Sequence, residues 1–375
     1  MVVVGCGAAG LAVAAELAGR GRRVVGLERF EWGHTRGSSH GTERIVRVAY
    51  ADAVHADMAR RSIDGWRRLE RDAAVTLLTS TGGLDIGSPA EIDLLAMQCA
   101  RVDVSTERLS AAEANVRFPM FRFAGATADG VDAQVMHHAA STVHADGALR
   151  ALRAVAERRG ATFQSGVRVM GIDPVDDGTV VVRYEGGAIT ASTCVVTVGA
   201  WAGEELVRSA VGGDARLPTL TVTQEQVGYF QPVVGGPWPT FVERSEPCLY
   251  GLPTPGGLVK IGEHHTGRAI DVEAKSDELE PVSWQRLERW VAEHVPGVDP
   301  APVESATCLY AWYPGDTFLF DRVGPIVLGL GLSGHGFKFV PEVGRRLADL
   351  VEGVDGENPF SLERPMLDVG ASGQR

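Results

Sequence analysis

The first 28 residues constrain the fold more than any other stretch. Val2-Val3-Val4 is a short apolar run that reads as a buried strand, and it passes directly into Gly5-Cys6-Gly7-Ala8-Ala9-Gly10, a GxGxxG pattern. Alone the pattern is weak. Here it precedes an apolar helical segment, Leu11 to Gly19, and a second strand, Arg23 to Leu27, that ends in Glu28. Strand, glycine turn, helix, strand and an acid about 20 residues past the glycines make the complete setting for a dinucleotide. The glycines let backbone approach a pyrophosphate at a helix N-terminus, and the acid takes a ribose hydroxyl. Gly5, Gly7, Gly10 and Glu28 are therefore candidate cofactor-binding residues, the plain alternative being a βαβ unit without a ligand. Because the first strand starts at Val2, a few more residues are expected upstream of Met1.

At 375 residues the chain exceeds what one core usually supports, so two domains, possibly interleaved, are expected. A net charge of -12 argues against nucleic acid as a partner. No apolar run approaches the roughly 18 residues of a membrane helix. The N-terminus has no basic region before its glycines, so it does not read as a secretory signal. Cys6, Cys99, Cys194, Cys248 and Cys308 are scattered with no CxxC, which fits neither a disulfide scaffold nor a zinc site and suits a reducing cytoplasm. His137, His138 and His144 have no nearby carboxylate or cysteine to complete a site, so no metal is expected.

After Glu28 the chain enters Phe30 to Tyr50, punctuated by Gly33, Gly37 and Gly41 with Ser38, Ser39 and His40 between. Arg44 and Arg47 stand three apart and are expected on one helix face, the bland reading being a solvated basic surface. Such a loop, just past the ribose acid, can fold over an isoalloxazine if the dinucleotide is FAD. An amphipathic helix follows from Ala56 to Asp72. Leu77 to Gly87 reads as strand, turn, strand; Pro89 to Ala100 and Ser110 to Asn115 read as short helices; a strand is expected to begin at Gly130. Gly147 to Gly160 is a helix, and strands follow at Thr162 to Ile172, Val180 to Tyr184 and Thr193 to Val198, the last ending at Gly199-Ala200-Trp201.

Leu220 to Phe230 alternates as a half-buried antiparallel strand, and Thr240 to Glu243, Cys248 to Leu252 and Gly257 to Glu263 continue a meander able to roof a substrate pocket. Lys260 lies inside an apolar strand, where it either snorkels to an edge or points into a cavity. Leu279 to His294 is helical, and Val303 to Trp312 places Cys308, Tyr310 and Trp312 on one strand face. In Val323 to Phe339 an apolar strand, Pro325 to Leu328, breaks into Gly329, Gly331, Gly334 and Gly336. His335 and Lys338 sit in that turn, and a helix over Val343 to Leu350 follows. A buried strand, a glycine-rich turn and a helix start can turn backbone N–H groups toward a ligand, although ordinary strand-to-helix loops share the pattern.

Taken together, GCGAAG with Glu28, GSSHGTERIVRVAY, YGLPTPGGLVKIGEHH, TCLY and SGHGFKF resemble the monomeric sarcosine oxidase family of flavin amine oxidases, which includes N-methyltryptophan oxidase and pipecolate oxidase. The resemblance implies an α/β fold: a glutathione-reductase-like FAD-binding domain with an interleaved mixed or antiparallel-sheet substrate domain. The FAD domain is expected over 1–76, 145–216 and 321–375, and the substrate domain over 77–144 and 217–320. It further implies that Cys308 bonds covalently to the flavin and that Arg47 and Lys338 clamp a substrate carboxylate. Lys260 is implied to promote reaction with oxygen, and Arg44 and His40 to flank the flavin ring. His264, Tyr250 and Tyr310 are implied to line the substrate cavity. Ser38, Gly334, Gly336, Phe337 and Lys338 join the expected FAD contacts. Around Asp316 to Arg322, and at Trp312 and Tyr313, the chain departs from the family pattern, which points to a different cavity wall.

The residue chemistry suits these roles. A guanidinium and an ammonium bind one carboxylate well, the arginine as a fork. Tyrosine faces hold an amine. A neutral amine, fixed by its carboxylate, can pass a hydride to a flavin without a dedicated base, and nearby cations keep it neutral. A fixed ammonium at Lys260 would stabilise reduced oxygen, and the same positive surroundings are expected to lower the Cys308 thiol pKa. The expected function is an FAD-dependent oxidase of a secondary, N-methyl or cyclic amino acid, giving imine and hydrogen peroxide, from a cytoplasmic monomer that binds neither nucleic acid nor membrane. The alternatives are a biosynthetic oxidase of a ring imino acid and an amine dehydrogenase with a non-oxygen acceptor.

Overall fold

The computed structural model describes residues 1–123, 133–203, 205–212, 217–354 and 356–363. Val2–Val4 is wholly buried at the centre of a sheet because parallel strands are covered on both faces and tolerate only apolar side chains. It pairs in parallel with Val25–Leu27 on one side and Cys194–Val196 on the other. Thr162–Gln164 forms one edge of this sheet, while Ile326–Leu330 and the antiparallel Leu319–Val323 form the other. The helix Ala8–Gly19 is apolar on nearly every side and correspondingly buried. It is covered by the helix Val340–Glu352, whose Val343, Leu347 and Ala348 join the same core.

A second, larger sheet is mixed. Thr221–Phe230 runs antiparallel to Glu304–Trp312 from Thr221↔Trp312 to Tyr229↔Glu304, and on its other side pairs with Val259–Glu263. Leu249–Pro253, Thr240–Glu243, Gly83–Gly87, Gln134–His138 and Thr106–Ser110 extend it, with Thr240–Glu243 and Gly83–Gly87 parallel. The helix Pro281–His294 lays Leu287 and Val291 against Phe230, Phe241 and Ile261 of this sheet. The two sheets draw on alternating parts of the chain: residues 2–27, 162–196 and 319–330 build the first, and 83–138 and 221–312 the second. The expected start of a strand at Gly130, and the ends of two expected segments over 213–216 and 364–375, lie outside the described residues.

Two local expectations change. Glu43–Arg47 is a strand, not a helix: Ile45 and Val46 are β-branched, and the segment pairs antiparallel with Ala140–His144, which pairs in turn with Leu78–Ser80. Residues three apart on a strand face opposite ways, so Arg44 and Arg47 enter different surroundings. The expected strand from Thr162 to Ile172 divides, Thr162–Gln164 staying in the parallel sheet and Val169–Pro174 opening a three-stranded antiparallel sheet with Val180–Tyr184 and Gly187–Ala191. Thr106–Ser110, Ala140–His144 and Gly187–Ala191 escape sequence reading because they carry too few apolar residues to alternate clearly. Among the described residues no helix is long and apolar enough to cross a membrane.

Trp66, on the helix Ala53–Ala73, ties the layers to the glycine-rich turn. It is fully buried, donates from Nε1 to the Lys338 carbonyl at 3.0 Å and stacks on Phe337 at 5.9 Å. Trp66→Ala is expected to cost about 3–5 kcal/mol in urea unfolding, the range for a truncated core aromatic.

Candidate active site

One cavity of about 1150 Å³ runs between the two sheets, from Glu28 to Lys338. That exceeds the roughly 300–1,000 Å³ of an ordinary ligand pocket and leaves room for a dinucleotide with a small second ligand. At one end Gly5, Gly7 and Ala8 line the wall where the helix Ala8–Gly19 begins, and its N-cap, Gly7, has no side chain to close the helix end. Gly10 does not line the cavity. Its glycine is required beneath it, since a Cβ there would stand 2.0 Å from the Gly5 carbonyl oxygen. Glu28 is buried and accepts from the Cys6 and Phe30 amides at 2.8 and 3.0 Å, which fixes it beside the turn. The residues thus fit a dinucleotide: a helix start whose N-cap has no side chain and whose Ala8 amide meets Ser39 Oγ at 3.1 Å, close backbone and an oriented acid.

The middle of the cavity is walled by the loop Ser38–His40 and by strands of the mixed sheet. Ser38 donates to the Leu309 carbonyl at 2.6 Å, which clips the loop to the strand that carries Cys308. Arg44 holds the same loop from the other side, donating to the Ser38 and His40 carbonyls at 3.1 and 2.6 Å, with its guanidinium 5.7 Å from the Phe337 ring. Lys260 is buried and lines the cavity rather than snorkelling to an edge. Burial, reinforced by Arg44, brings its pKa down to about 7, so it is not the permanently charged ammonium expected from sequence. Cys308 departs from expectation in the same way. Burial pushes its thiol pKa up, and Lys260 and Arg44 only partly offset this. Burial and Arg44 hold His40 at about 4, and burial together with His265 holds His264 well below 6.5, so both imidazoles are neutral at pH 7.

Tyr250, Tyr310 and His264 line the next section, with Tyr310 Oη 3.3 Å from His264 Nδ1. Gly334, Gly336 and Phe337 face them from the glycine-rich turn. Gly334 has φ of 70° and a Cβ there would stand 2.2 Å from the Tyr310 ring, so both its backbone and its neighbour demand glycine. Trp312 and Tyr313 do not line the cavity. Trp312 lies 5.5 Å from the His265 ring, and Tyr313 is buried in the core beside the parallel sheet. They therefore do not reshape the cavity wall as their departure from the family pattern suggested.

Arg47 and Lys338 meet at the far end around a residue that sequence reading missed, Tyr50. The Arg47 guanidinium lies 5.0 Å and the Lys338 ammonium 5.3 Å from its ring centroid. Arg47 spends only Nη1 on the protein, donating to the Ala49 carbonyl and, at 3.2 Å, to Asp85. Its Nη2 and Nε have no hydrogen-bond partner among the described residues. Lys338 spends two of its three protons, on Tyr50 Oη at 2.7 Å and on the His335 carbonyl at 2.9 Å. Three N–H of the guanidinium, and one of Lys338 when it is an ammonium, therefore remain for a ligand.

Asp85 was also missed. It is fully buried and receives Arg47, Arg244 Nη2 at 3.0 Å and His138 at 2.8 Å. Burial opposes its ionisation, but Arg47, the His138 hydrogen bond and Arg244 outweigh that and hold the carboxyl well below its usual range. His138 thus serves a carboxylate, and His144 caps the helix Ala145–Arg158 by accepting from the Gly147 amide at 2.9 Å. Among the described residues no group of three or more candidate ligands could hold a metal. Glu43, buried with Oε2 unpartnered among the described residues, adds a negative charge toward Lys260 that sequence reading also overlooked.

Residues 1–350 match the family described as FAD dependent oxidoreductase. Peroxisomal sarcosine oxidase of Homo sapiens is 31% identical over 369 residues, covering 93% of this chain and 91% of that protein. Monomeric sarcosine oxidase of Bacillus sp. (strain B-0618) is 30% identical over 386 residues, covering 98% and 96%. The solved structure of NikD, an amino acid oxidase essential for nikkomycin biosynthesis, superposes with a TM-score of 0.81 at 27% identity over 95% of each chain. With the dinucleotide cradle, these likenesses define an FAD-dependent amine oxidoreductase. The chain belongs to the FAD dependent oxidoreductase family and is of its sarcosine oxidase type.

Asp85→Asn takes the shared carboxylate from buried Arg47 and Arg244, so it is expected to cost about 3–5 kcal/mol of stability at pH 7. Because the folded pKa is depressed, the contribution is complete above the unfolded value near 3.9 and is lost as pH falls toward the folded one. Urea unfolding across pH is expected to show the gap between wild type and variant narrowing below about pH 4.

Proposed function

We propose that this protein oxidises a secondary, N-methyl or cyclic amino acid, giving an imine and hydrogen peroxide. The observation that carries this reading is the pair of open donors, one edge of Arg47 and one proton of Lys338, in the cavity that also holds Lys260 and Cys308. An anion of carboxylate shape satisfies both, and Asp85 makes Arg47 stiff enough to act as a fixed anchor. FAD, bound along Gly5, Gly7, Glu28, Ser38 and the Gly334–Lys338 turn, would supply the hydride acceptor. Arg47 and Lys338 fix the carboxylate, and through it the C–H bond to be broken. Tyr250 and Tyr310 face the amine, and neutral His264 adds no positive charge against it. The cations of the clamp favour the neutral, reactive form of the amine. Lys260, where protonated, stabilises negative charge developing on oxygen.

The same reading takes 1–76, 145–216 and 321–375 as the cofactor domain and 77–144 and 217–320 as the substrate domain, supported by the division of strands between the two sheets. It takes Cys308 as the covalent attachment point of the flavin, supported by its place on the cavity wall beside Lys260. A monomer working in a reducing cytoplasm suits the five free cysteines. Likeness to NikD, an amino acid oxidase essential for nikkomycin biosynthesis, supports a second reading within the same class, a biosynthetic amino acid oxidase.

The test is a panel of N-methyl and cyclic amino acids, each paired with its decarboxylated amine. The acids are expected to bleach the flavin anaerobically and release peroxide in air, while the amines do neither; a flavin that stays oxidised with every acid refutes the proposal. Acid precipitation of the same preparation is expected to give a yellow pellet that turns colourless in Cys308→Ala. Because Lys260 titrates near 7 and works as the ammonium, flavin reoxidation by dissolved oxygen is expected to slow as pH rises through about 7. Lys260→Met is expected to be slower by about 100-fold and flat across that range in stopped-flow measurement.

A further inference from the structure

A run of hydrogen-bonding groups leads from the carboxylate end of the cavity to the surface. Lys338 Nζ donates to Tyr50 Oη at 2.7 Å, and Tyr50 Oη lies 3.2 Å from His335 Nδ1. The His335 ring stands 5.6 Å from the ring of His55. Both rings pack against Phe318 and Phe339. His55 Nδ1 lies 2.9 Å from each carboxylate oxygen of Asp52. The His55 side chain is wholly buried, whereas that of Asp52 is 26% exposed.

The chemistry of the groups fixes their polarity. With Lys338 as the ammonium, which can only donate, Tyr50 oxygen accepts from it and gives its own proton to His335 Nδ1. The ring proton of neutral His335 then sits on Nε2, a donor. The Asp52 carboxylate accepts from His55 Nδ1–H, which leaves His55 Nε2 an acceptor. These two Nε2 atoms are both buried, and both lack a partner among the described residues. A donor and an acceptor on adjacent rings in an aromatic cage are costly to leave unmatched if packing is their only purpose. A small ring movement, or one water held between them, completes the line.

We propose that Lys338, Tyr50, His335, His55 and Asp52 form a proton conduit between the carboxylate clamp and solvent. The inference rests on the clamp reading given above. Lys338 is faced by Arg47, Tyr50 and Asp85; His335 is faced by Lys338, His55, His264 and His265. Without an anion, burial and Arg47 favour the neutral amine of Lys338, and a bound carboxylate favours its ammonium. A ligand in the cavity closes the route through its mouth, so the proton arrives from behind. Before delivery Lys338 is the neutral amine and accepts from Tyr50, while His335 carries its proton on Nδ1 and His55 on Nε2. A proton taken up by Asp52 passes to His55 Nδ1, and His55 Nε2–H passes to His335 Nε2. His335 Nδ1–H then passes to Tyr50 and Tyr50 O–H to Lys338, which leaves the polarity given above. Return along the same line reverses each transfer. Only N–H and O–H bonds form and break, and no electrons move.

The experiment uses the holoenzyme in weak buffer with a pH-indicator dye, and acetate as the probe. Acetate has a carboxylate and no ammonium, so any proton gained comes from solvent, while the flavin absorbance reports binding separately. Wild type is expected to take up close to one proton per acetate bound, and Lys338→Met none. His55→Phe keeps a ring in the cage and Asp52→Asn keeps the helix cap. Both are expected to reach the same final uptake at least about tenfold more slowly in stopped flow. Acetate binding with no proton uptake in wild type overturns the conduit, as does uptake at the wild-type rate in both variants. If acetate leaves the flavin spectrum unchanged at saturating concentration, the clamp reading itself fails and the conduit falls with it.

Discussion

Two cations at the end of a buried cavity create the central problem of this molecule, and Tyr50 with Asp85 is its solution. A buried charge is tolerable only when its donors are met. Arg47 and Lys338 each meet part of that need from the protein and keep part open, around the Tyr50 ring. Asp85 meets Arg47 at Nη1 and Arg244 at Nη2, and the Nη2 and Nε of Arg47 have no hydrogen-bond partner among the described residues. Open N–H donors in a buried cavity suit an anion.

Desolvation governs the remaining groups more than charge proximity does. Lys260, Cys308, His40 and His264 all shift toward their neutral forms because burial outweighs their neighbours. Sequence reasoning weighed the cations near Cys308 and missed this, since burial depth cannot be read from five residues of strand. The consequence is a middle section that is nearly uncharged between a cationic anchor and a lysine poised near neutrality. Such a section suits a neutral amine and repels an ammonium less by charge than by lack of water.

The cofactor half was legible because its determinants are local. GCGAAG and Glu28 lie within one βαβ unit, and the structure closes them into one turn. The substrate half was legible only where a resemblance supplied the roles. Asp85 sits in GLDIG, an unremarkable stretch, and gains its meaning from Arg47, 38 residues away, and Arg244, 159 residues away. Tyr50 meets Lys338 across 288 residues. Spacing of Arg44 and Arg47 suggested a helix because both periodicities fit so short a segment, and the pairing with Ala140–His144 decided for a strand. That decision matters, since a helix would have aimed both arginines at one target. The strand instead gives Arg44 to the Ser38–His40 loop and Arg47 to the clamp.

The glycine-rich turn joins these halves mechanically. Gly334 admits the Tyr310 ring against its backbone, Trp66 holds the Lys338 carbonyl, and Lys338 reaches back to Tyr50. A shift of this turn would therefore move Phe337, Tyr310 and Lys338 together. Substrate shape cannot be retuned at Tyr310 without disturbing the turn, because any side chain at position 334 meets that ring. The strands that carry Tyr250 and His264 reach the turn through Tyr310, whose Oη is 3.3 Å from His264 Nδ1. Leu249–Pro253 and Val259–Glu263 pair with each other within the mixed sheet, and His264 follows directly. Variation in the amine accepted is thus expected to be written in the loops beyond those strands, while the anchor stays fixed.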